Sequence, residues 1–76
     1  MKAYQIRLSI AENAKRFVNI VNRYPYEVDL CEGRYVIDGR SAAGVLSLRL
    51  YKHVTMVILD DHCEDLVTEL QPYIVG

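Results

Sequence analysis

The chain has 76 residues, of which 51% are hydrophobic and 25% are charged, and its formal net charge is −1 at pH 7. This composition predicts one small globular domain, 1–76, without room for a deep active-site cavity. The near-neutral charge argues against a nucleic-acid partner, and no apolar run approaches the roughly 20 residues of a membrane span. Two cysteines without CxxC spacing indicate neither a disulfide framework nor a zinc site, so we expect a cytoplasmic protein.

The first predicted elements are a strand and a helix. From Tyr4 to Ile10, apolar and polar residues alternate with the period of a half-buried strand, which predicts a strand over 4–10. The next apolar residues follow helical spacing and predict a helix over 11–23: Ala14, Phe17, Val18 and Val21. Pro25 prevents continuation of that helix.

A hairpin is predicted next. Residues 26–32 alternate as a second strand, Glu32 and Gly33 supply a tight turn, and 34–37 return as a third strand.

The second half of the chain predicts a helix, a strand and a helix. Ser41 is a good N-cap for a short helix over 42–47, and the apolar run 54–59 is typical of a central strand. Asp60 or Asp61 is expected to cap the last helix. Five residues form the predicted buried stripe of that helix: Cys63, Leu66, Val67, Leu70 and Ile74.

The order of these elements is strand, helix, strand, strand, helix, strand, helix. All three helices can lie on one face of a four-stranded sheet, which predicts an α+β open-faced β-sandwich.

The stretch Asp38–Leu48, with sequence DGRSAAGVLSL, carries a resemblance to a known family. It resembles the segment in which the HPr phosphocarriers of the bacterial sugar phosphotransferase system begin their short second helix. The resemblance implies an antiparallel sheet in the order 1-4-2-3. It also implies a protein that takes part in sugar transport and its regulation. Members of the family accept phosphate on a histidine at the start of the first helix.

The corresponding stretch here, Ser9–Phe17, contains neither histidine nor proline and is shorter than the family's loop. The only two histidines are His53 and His62, at other positions. We therefore predict a divergent HPr-like protein without phosphohistidine transfer. We expect it not to be an enzyme, with no catalytic residue, no metal site and no cofactor.

The candidate functional residues lie on the two predicted helices. Ser41 matches the serine that a kinase phosphorylates in some members of the family, although capping alone also explains a serine there. Ala43 and Leu46 match positions that contact partners in the family. Lys15, Arg16 and Arg23 could bind an acidic protein surface, or could form a solvated helix face.

Three hypotheses follow for the function. The first is a non-catalytic regulatory or protein-interaction module, with phosphotransferase enzymes, an HPr-type serine kinase or a transcriptional regulator as partners. The second is a working phosphocarrier that uses a different phosphoacceptor. The third is a structural module that forms a homodimer through an uncovered sheet face carrying Cys31, Val36, Val57 and Leu59.

Overall fold

The computed structural model describes residues 1–76, which form four strands, three α-helices and a short 3₁₀ helix. In chain order these are β1 (Lys2–Ile6), α1 (Ala11–Val21), β2 (Val28–Glu32), β3 (Tyr35–Asp38), α2 (Ala42–Leu46), β4 (Val54–Ile58), α3 (Glu64–Glu69) and the 3₁₀ turn (Gln71–Tyr73). No helix is both long enough and apolar enough to cross a lipid bilayer.

The strands form one antiparallel sheet in the order β1-β4-β2-β3. Ile6 pairs with Val54, Leu30 with both Met56 and Ile37, and these side chains point towards the helices. The alternate residues, such as Cys31, lie on the opposite face, which no helix covers. The predicted α+β open-faced sandwich and its strand order are confirmed.

The core lies between the sheet and the helices. Phe17 on α1 is fully buried there, with its ring 6.1 Å from that of Tyr73 in an edge-to-face contact. Sixteen residues, all apolar or cysteine, form this single cluster: Ile6, Leu8, Ala14, Phe17, Val18, Val21, Val28, Leu30, Val45, Leu48, Val54, Met56, Ile58, Cys63, Leu66 and Leu70. The apolar periodicity of the sequence therefore marks the core residues of both layers.

β1 ends at Ile6, four residues before the predicted end of the first strand. Ser9 has a positive φ of 75°, which reverses the chain, and the Ile10 N–H donates to the Leu8 carbonyl across this turn at 2.9 Å. Leu8 is still buried, but Ile10 is 55% exposed and lies at the N-cap of α1. The strand prediction for 7–10 was wrong because alternation alone does not reveal this turn.

α3 begins at Glu64, later than predicted, and its N-cap residue is Cys63. The Asp60 carboxylate instead accepts a hydrogen bond from the His62 backbone N–H at 2.8 Å, and Asp61 accepts one from the N-terminal ammonium. Neither aspartate caps the helix, because α3 begins at Glu64 and both lie before its N-cap position. Ile74 also lies outside the helix.

The C-terminal segment adds to the outer edge of β1. Ile74 forms a bridge with Ile6, the Gln5 N–H donates to the Gly76 carbonyl at 2.9 Å, and Val75 donates back to Gln5 at 2.8 Å. The Arg7 N–H donates to the Tyr73 carbonyl at 2.9 Å. The N–H and carbonyl of Gln5 and the N–H of Arg7 are therefore paired within the chain.

Gly39 allows the loop between β3 and α2 to approach β2 closely. Its N–H donates to the Val28 carbonyl at 2.7 Å. A Cβ at position 39 would lie 2.9 Å from Val28 Cγ1 and 3.0 Å from the Val28 carbonyl oxygen, closer than van der Waals contact allows. This contact fixes the distance between the β2–β3 hairpin and the start of α2.

We expect Gly39→Ala to destabilise the fold by about 1–3 kcal/mol, because the backbone of the loop must move away from β2. Gly44→Ala provides a matched control. A Cβ there would meet no atom closer than 3.4 Å, and alanine favours a helix interior by up to about 1 kcal/mol. Chemical denaturation should thus give free-energy changes of opposite sign for the two variants, and equal changes would show that Gly39 has no steric role.

Candidate functional site

The connection between β1 and α1 is the place where the HPr resemblance locates phosphate transfer. Here it is a tight turn, Leu8–Ile10, and the Ser9 N–H donates to the Leu50 carbonyl at 2.8 Å. The Asn13 side chain donates to the Leu8 carbonyl at 2.9 Å, which holds the turn from the helix side. No side chain caps α1, so its first backbone N–H groups have no acceptor of that kind.

The first turn of α1 carries its own negative charge. Glu12 lies there and forms an ion pair with Arg16 at 3.2 Å, one helical turn later. A carboxylate at this position offsets the positive end of the helix dipole and repels a bound anion.

The two histidines lie at opposite ends of the sheet. His53 is exposed and directly precedes Val54, the β4 residue that pairs with Ile6 at the end of β1. It therefore lies at the same end of the molecule as the β1–α1 turn. His62 is exposed and lies beyond the other end of β4.

Ser41 caps α2. Its Oγ accepts a hydrogen bond from the Gly44 N–H at 3.2 Å. The preceding residues are also held in place: the Asp38 carboxylate accepts from the Arg40 N–H at 2.9 Å, and the Asn22 amide donates to the Arg40 carbonyl at 3.0 Å. The end of α1 thereby positions the start of α2.

The predicted partner-binding residues are exposed, but the structure divides them. Lys15 has no ion pair, whereas Arg16 is paired with Glu12, and Arg23 lies beyond the end of α1, where it pairs with Glu69 of α3 at 2.6 Å. On α2, Ala43 is exposed and Leu46 is 38% exposed. The three cations therefore do not share one unpaired basic patch.

Two exposed apolar residues near this surface were not among the predicted site residues. Ile10 is 55% exposed and Tyr51 is 68% exposed, and each directly follows one partner of the Ser9–Leu50 hydrogen bond. The alternating pattern placed Ile10 inside a strand, so apolar periodicity did not indicate its exposure. With Leu46 at the end of α2, they form the apolar part of a candidate surface. We call it the α1–α2 surface and define it by five residues: Ile10, Lys15, Ala43, Leu46 and Tyr51.

Tyrosines in the connection between α1 and β2 bind the acidic face of α3. The Tyr24 and Tyr26 rings stack at 6.0 Å, and the Tyr24 hydroxyl donates to Glu69. The Tyr26 hydroxyl donates to Asp65, at 3.0 Å and 3.2 Å from its two oxygens. The Asp65 hydrogen bond raises the pKa of Tyr26 to about 12, and the Glu69 hydrogen bond raises the pKa of Tyr24.

The two cysteines have different environments. Cys63 is buried beneath α3, and this burial raises the pKa of its thiol, so it stays protonated. Cys31 is half-buried on the open face of the sheet, and both thiols are free. Neither thiol lies on the α1–α2 surface.

Comparisons with known proteins agree with the fold. No protein-family model matches the chain, and no curated protein matches it. The chain superposes on HPr-C-His from Thermoanaerobacter tengcongensis with a TM-score of 0.77 and 19% identity, over 92% of this chain and 86% of that one. It superposes on a phosphocarrier protein HPr from Bacillus anthracis str. Ames with a TM-score of 0.77 and 17% identity, over 97% and 96%. The chain therefore has an HPr-like fold.

We expect the tyrosine contacts with α3 to make stability fall at alkaline pH. The pKa of Tyr26 is about 12 in the folded chain and about 10 when unfolded, so folding favours the protonated phenol. This stabilisation is complete below about pH 10 and is lost as the pH rises through about 12. Denaturation measured at several pH values should show the fall, and Tyr26→Phe should make it smaller. Tyr51→Phe is the control, and an equal effect there would contradict the assignment.

Proposed function

We propose that this chain is a non-catalytic protein-interaction module with an HPr-like fold, which does not transfer phosphate through a histidine. One observation carries the proposal: the β1–α1 connection is the tight turn Leu8–Ile10, fastened to the Leu50 carbonyl, with no histidine in it. The Glu12 carboxylate in the following helical turn opposes the binding of a phosphate group there.

The α1–α2 surface supports binding to another protein. Ile10, Tyr51 and Leu46 expose apolar area around the start of α1 and the end of α2. Lys15 adds a positive charge that no carboxylate of the chain neutralises. A surface with apolar anchors and a cationic rim fits a partner with an apolar patch bordered by carboxylates.

Three kinds of partner fit this proposal: phosphotransferase-system enzymes, an HPr-type serine kinase and a transcriptional regulator. The likeness of the fold to HPr-C-His and to the phosphocarrier protein HPr motivates all three.

The alternative is a phosphocarrier that uses a different phosphoacceptor. Of the two histidines, His53 is the better placed to be that acceptor. His53 is exposed at the same end of the molecule as the β1–α1 turn. An enzyme docked on the α1–α2 surface would therefore approach this histidine, whereas His62 lies at the far end.

We expect the chain to bind the general phosphotransferase enzyme without accepting phosphate from it. Incubation with that enzyme and phosphoenolpyruvate should leave no acid-labile phosphate, while the Bacillus anthracis phosphocarrier protein HPr, as the positive control, becomes labelled. Stoichiometric phosphate on His53 or His62 would establish the alternative instead.

Binding is measured separately, by calorimetric titration. Leu46→Asp should raise the dissociation constant at least about tenfold, because it places a charge against the apolar contact. Leu59→Asp is the matched control, since Leu59 is 43% exposed and lies on the open sheet face. Equal effects of the two substitutions would place the partner elsewhere.

We also propose that an HPr-type serine kinase can modify Ser41. Its Oγ lies at the start of α2 and accepts the Gly44 N–H at 3.2 Å, so the hydroxyl must rotate outwards to react. A phosphate there would add a charge of about −2 at the positive end of the helix.

Phosphorylated Ser41 should therefore retain the fold, with a slightly raised Tm. Ser41→Ala should cost about 1 kcal/mol of stability, while Ser41→Asp, also a good N-cap, should cost little. Mass spectrometry after kinase treatment checks the modification, and thermal denaturation checks the cap. An unmodified Ser41 would contradict the phosphosite, and a thermally neutral alanine would contradict the capping role.

A further inference from the structure

β3 is an open edge of the sheet. It pairs with β2 alone, and its Tyr35 and Val36 side chains are 70% and 61% exposed. Neither proline nor lysine occurs in this strand to block pairing with another chain, although it is only four residues long.

The direction of the free backbone groups follows from the pairing register. Gly39 donates its N–H to the Val28 carbonyl, so positions 28 and 39 form a hydrogen-bonded pair. Hydrogen-bonded pairs alternate along an antiparallel ladder. The backbone N–H and carbonyl of Ile37 therefore point towards β2, whereas those of Val36 and Asp38 do not. The N–H and carbonyl of Val36 and the N–H of Asp38 therefore point outwards, away from the sheet.

Charges lie unevenly along this edge. Asp38 lies directly opposite Asp29 in the register, and with Glu27 and Arg40 these residues line a hollow of about 310 Å³, which therefore carries three carboxylates and one guanidinium. None of the three carboxylates forms an ion pair within the chain, and two like charges opposite each other on a sheet are destabilising. At the other end of β3, Arg34 is exposed in the hairpin turn and also has no ion pair.

We propose that β3 pairs antiparallel with β3 of a second copy of this chain, around a two-fold axis at Val36. The two sheets would then join into one sheet of eight strands. Val36 would face Val36 of the second copy and exchange both of its outward hydrogen bonds with it. Arg34 would face Asp38 of the second copy, on the open face of the sheet, and would place its guanidinium beside the acidic hollow.

Charge selects this register over the two neighbouring ones. In a symmetric antiparallel pair the residue on the axis faces its own copy, so the neighbouring registers have their axes at Tyr35 and at Ile37. The first would place Arg34 opposite Val36 and form no Arg34–Asp38 pair. The second has its axis at Ile37. That register would place Arg34 opposite Arg40 of the second copy, which sets like charges against each other. The axis at Val36 instead forms two Arg34–Asp38 pairs, one on each side.

The charges of the whole molecule support the same arrangement. Arg49, Lys52 and Glu32 line a hollow beside the hairpin turn, and with Arg34 in that turn this end of the sheet has an excess of positive charge. The other end carries Glu27, Asp29 and Asp38 against Arg40 alone, which is an excess of negative charge. An antiparallel pair of molecules brings the basic end of each beside the acidic end of the other, which favours association at low salt.

The dimer should be tested first by analytical ultracentrifugation. We expect a concentration-dependent equilibrium between monomer and dimer, weaker at high salt, because a four-residue edge buries little surface. A chain that stays monomeric at low salt up to about 1 mM would overturn the proposal.

Val36→Pro tests the backbone pairing. Proline removes the outward N–H of Val36, which β2 does not use, so the fold should persist while the dimer is lost. Val36→Thr keeps that N–H and is the matched control, which should still dimerise. A dimer that survives Val36→Pro would use another surface, and the proposal would be wrong.

Charge reversal tests the register and remains informative if the proline variant does not fold. Arg34→Glu and Asp38→Arg should each raise the dimer dissociation constant at least about tenfold, because each sets two like-charge pairs in the interface. Mixing the two variants should restore a dimer, since Glu at 34 then meets Arg at 38, and the native Arg34 meets the native Asp38. Failure of the mixture to associate would exclude this register. Circular dichroism of each variant checks that the loop held by Asp38 and the Arg40 N–H keeps its structure.

Discussion

β4 lies in the middle of the sheet, paired antiparallel with β1 on one side and with β2 on the other. It is the last strand in the chain, so the strand that lies between β1 and β2 in the sheet follows both of them, and α2, in the sequence. Val54, Met56 and Ile58 are all buried on its helix-facing side. The connections through α1 and α2 each pass over one intervening strand, and both helices pack on this apolar row. The positions of the β1–α1 turn and of Ser41 depend on that packing.

Local patterns in the sequence predicted most of the fold. Alternation located β2, the turn at Glu32 and Gly33 located β3, and a continuous apolar run located β4, each within about two residues. Pro25 indicated where α1 could not continue, and Ser41 was identified as the cap of α2, while the strand order came from the HPr resemblance. The errors have a common physical cause. The positive φ of Ser9 and the hydrogen bond from the His62 backbone N–H to the Asp60 carboxylate are features of the backbone that apolar periodicity does not record.

The candidate site was harder to predict than the fold, because its charges are set by contacts between distant segments. Arg23 lies close to Lys15 and Arg16 in the sequence, yet its guanidinium pairs with Glu69, 46 residues away. The tyrosine contacts with α3 likewise join residues 39 and 45 positions apart. An exposed ion pair adds about 0–1 kcal/mol to stability, but it removes a cation from those available to a partner. Lys15 and the apolar residues beside the Ser9–Leu50 hydrogen bond remain available to a partner.

The C-terminal segment gives the two edges of the sheet different chemistry. Residues 73–76 already pair with the outward N–H and carbonyl of Gln5 and with the N–H of Arg7, so the β1 edge offers an incoming strand little besides Ala3. In the language of polymerisation, the molecule is monovalent: one free edge allows a single partner strand, and growth stops when it is filled. A fibre requires two reactive ends on every unit. Residues 73–76 therefore act as a terminator of sheet growth, because they block the second edge of each molecule. Their removal would give each molecule two free edges, so that sheets could add to one another without limit.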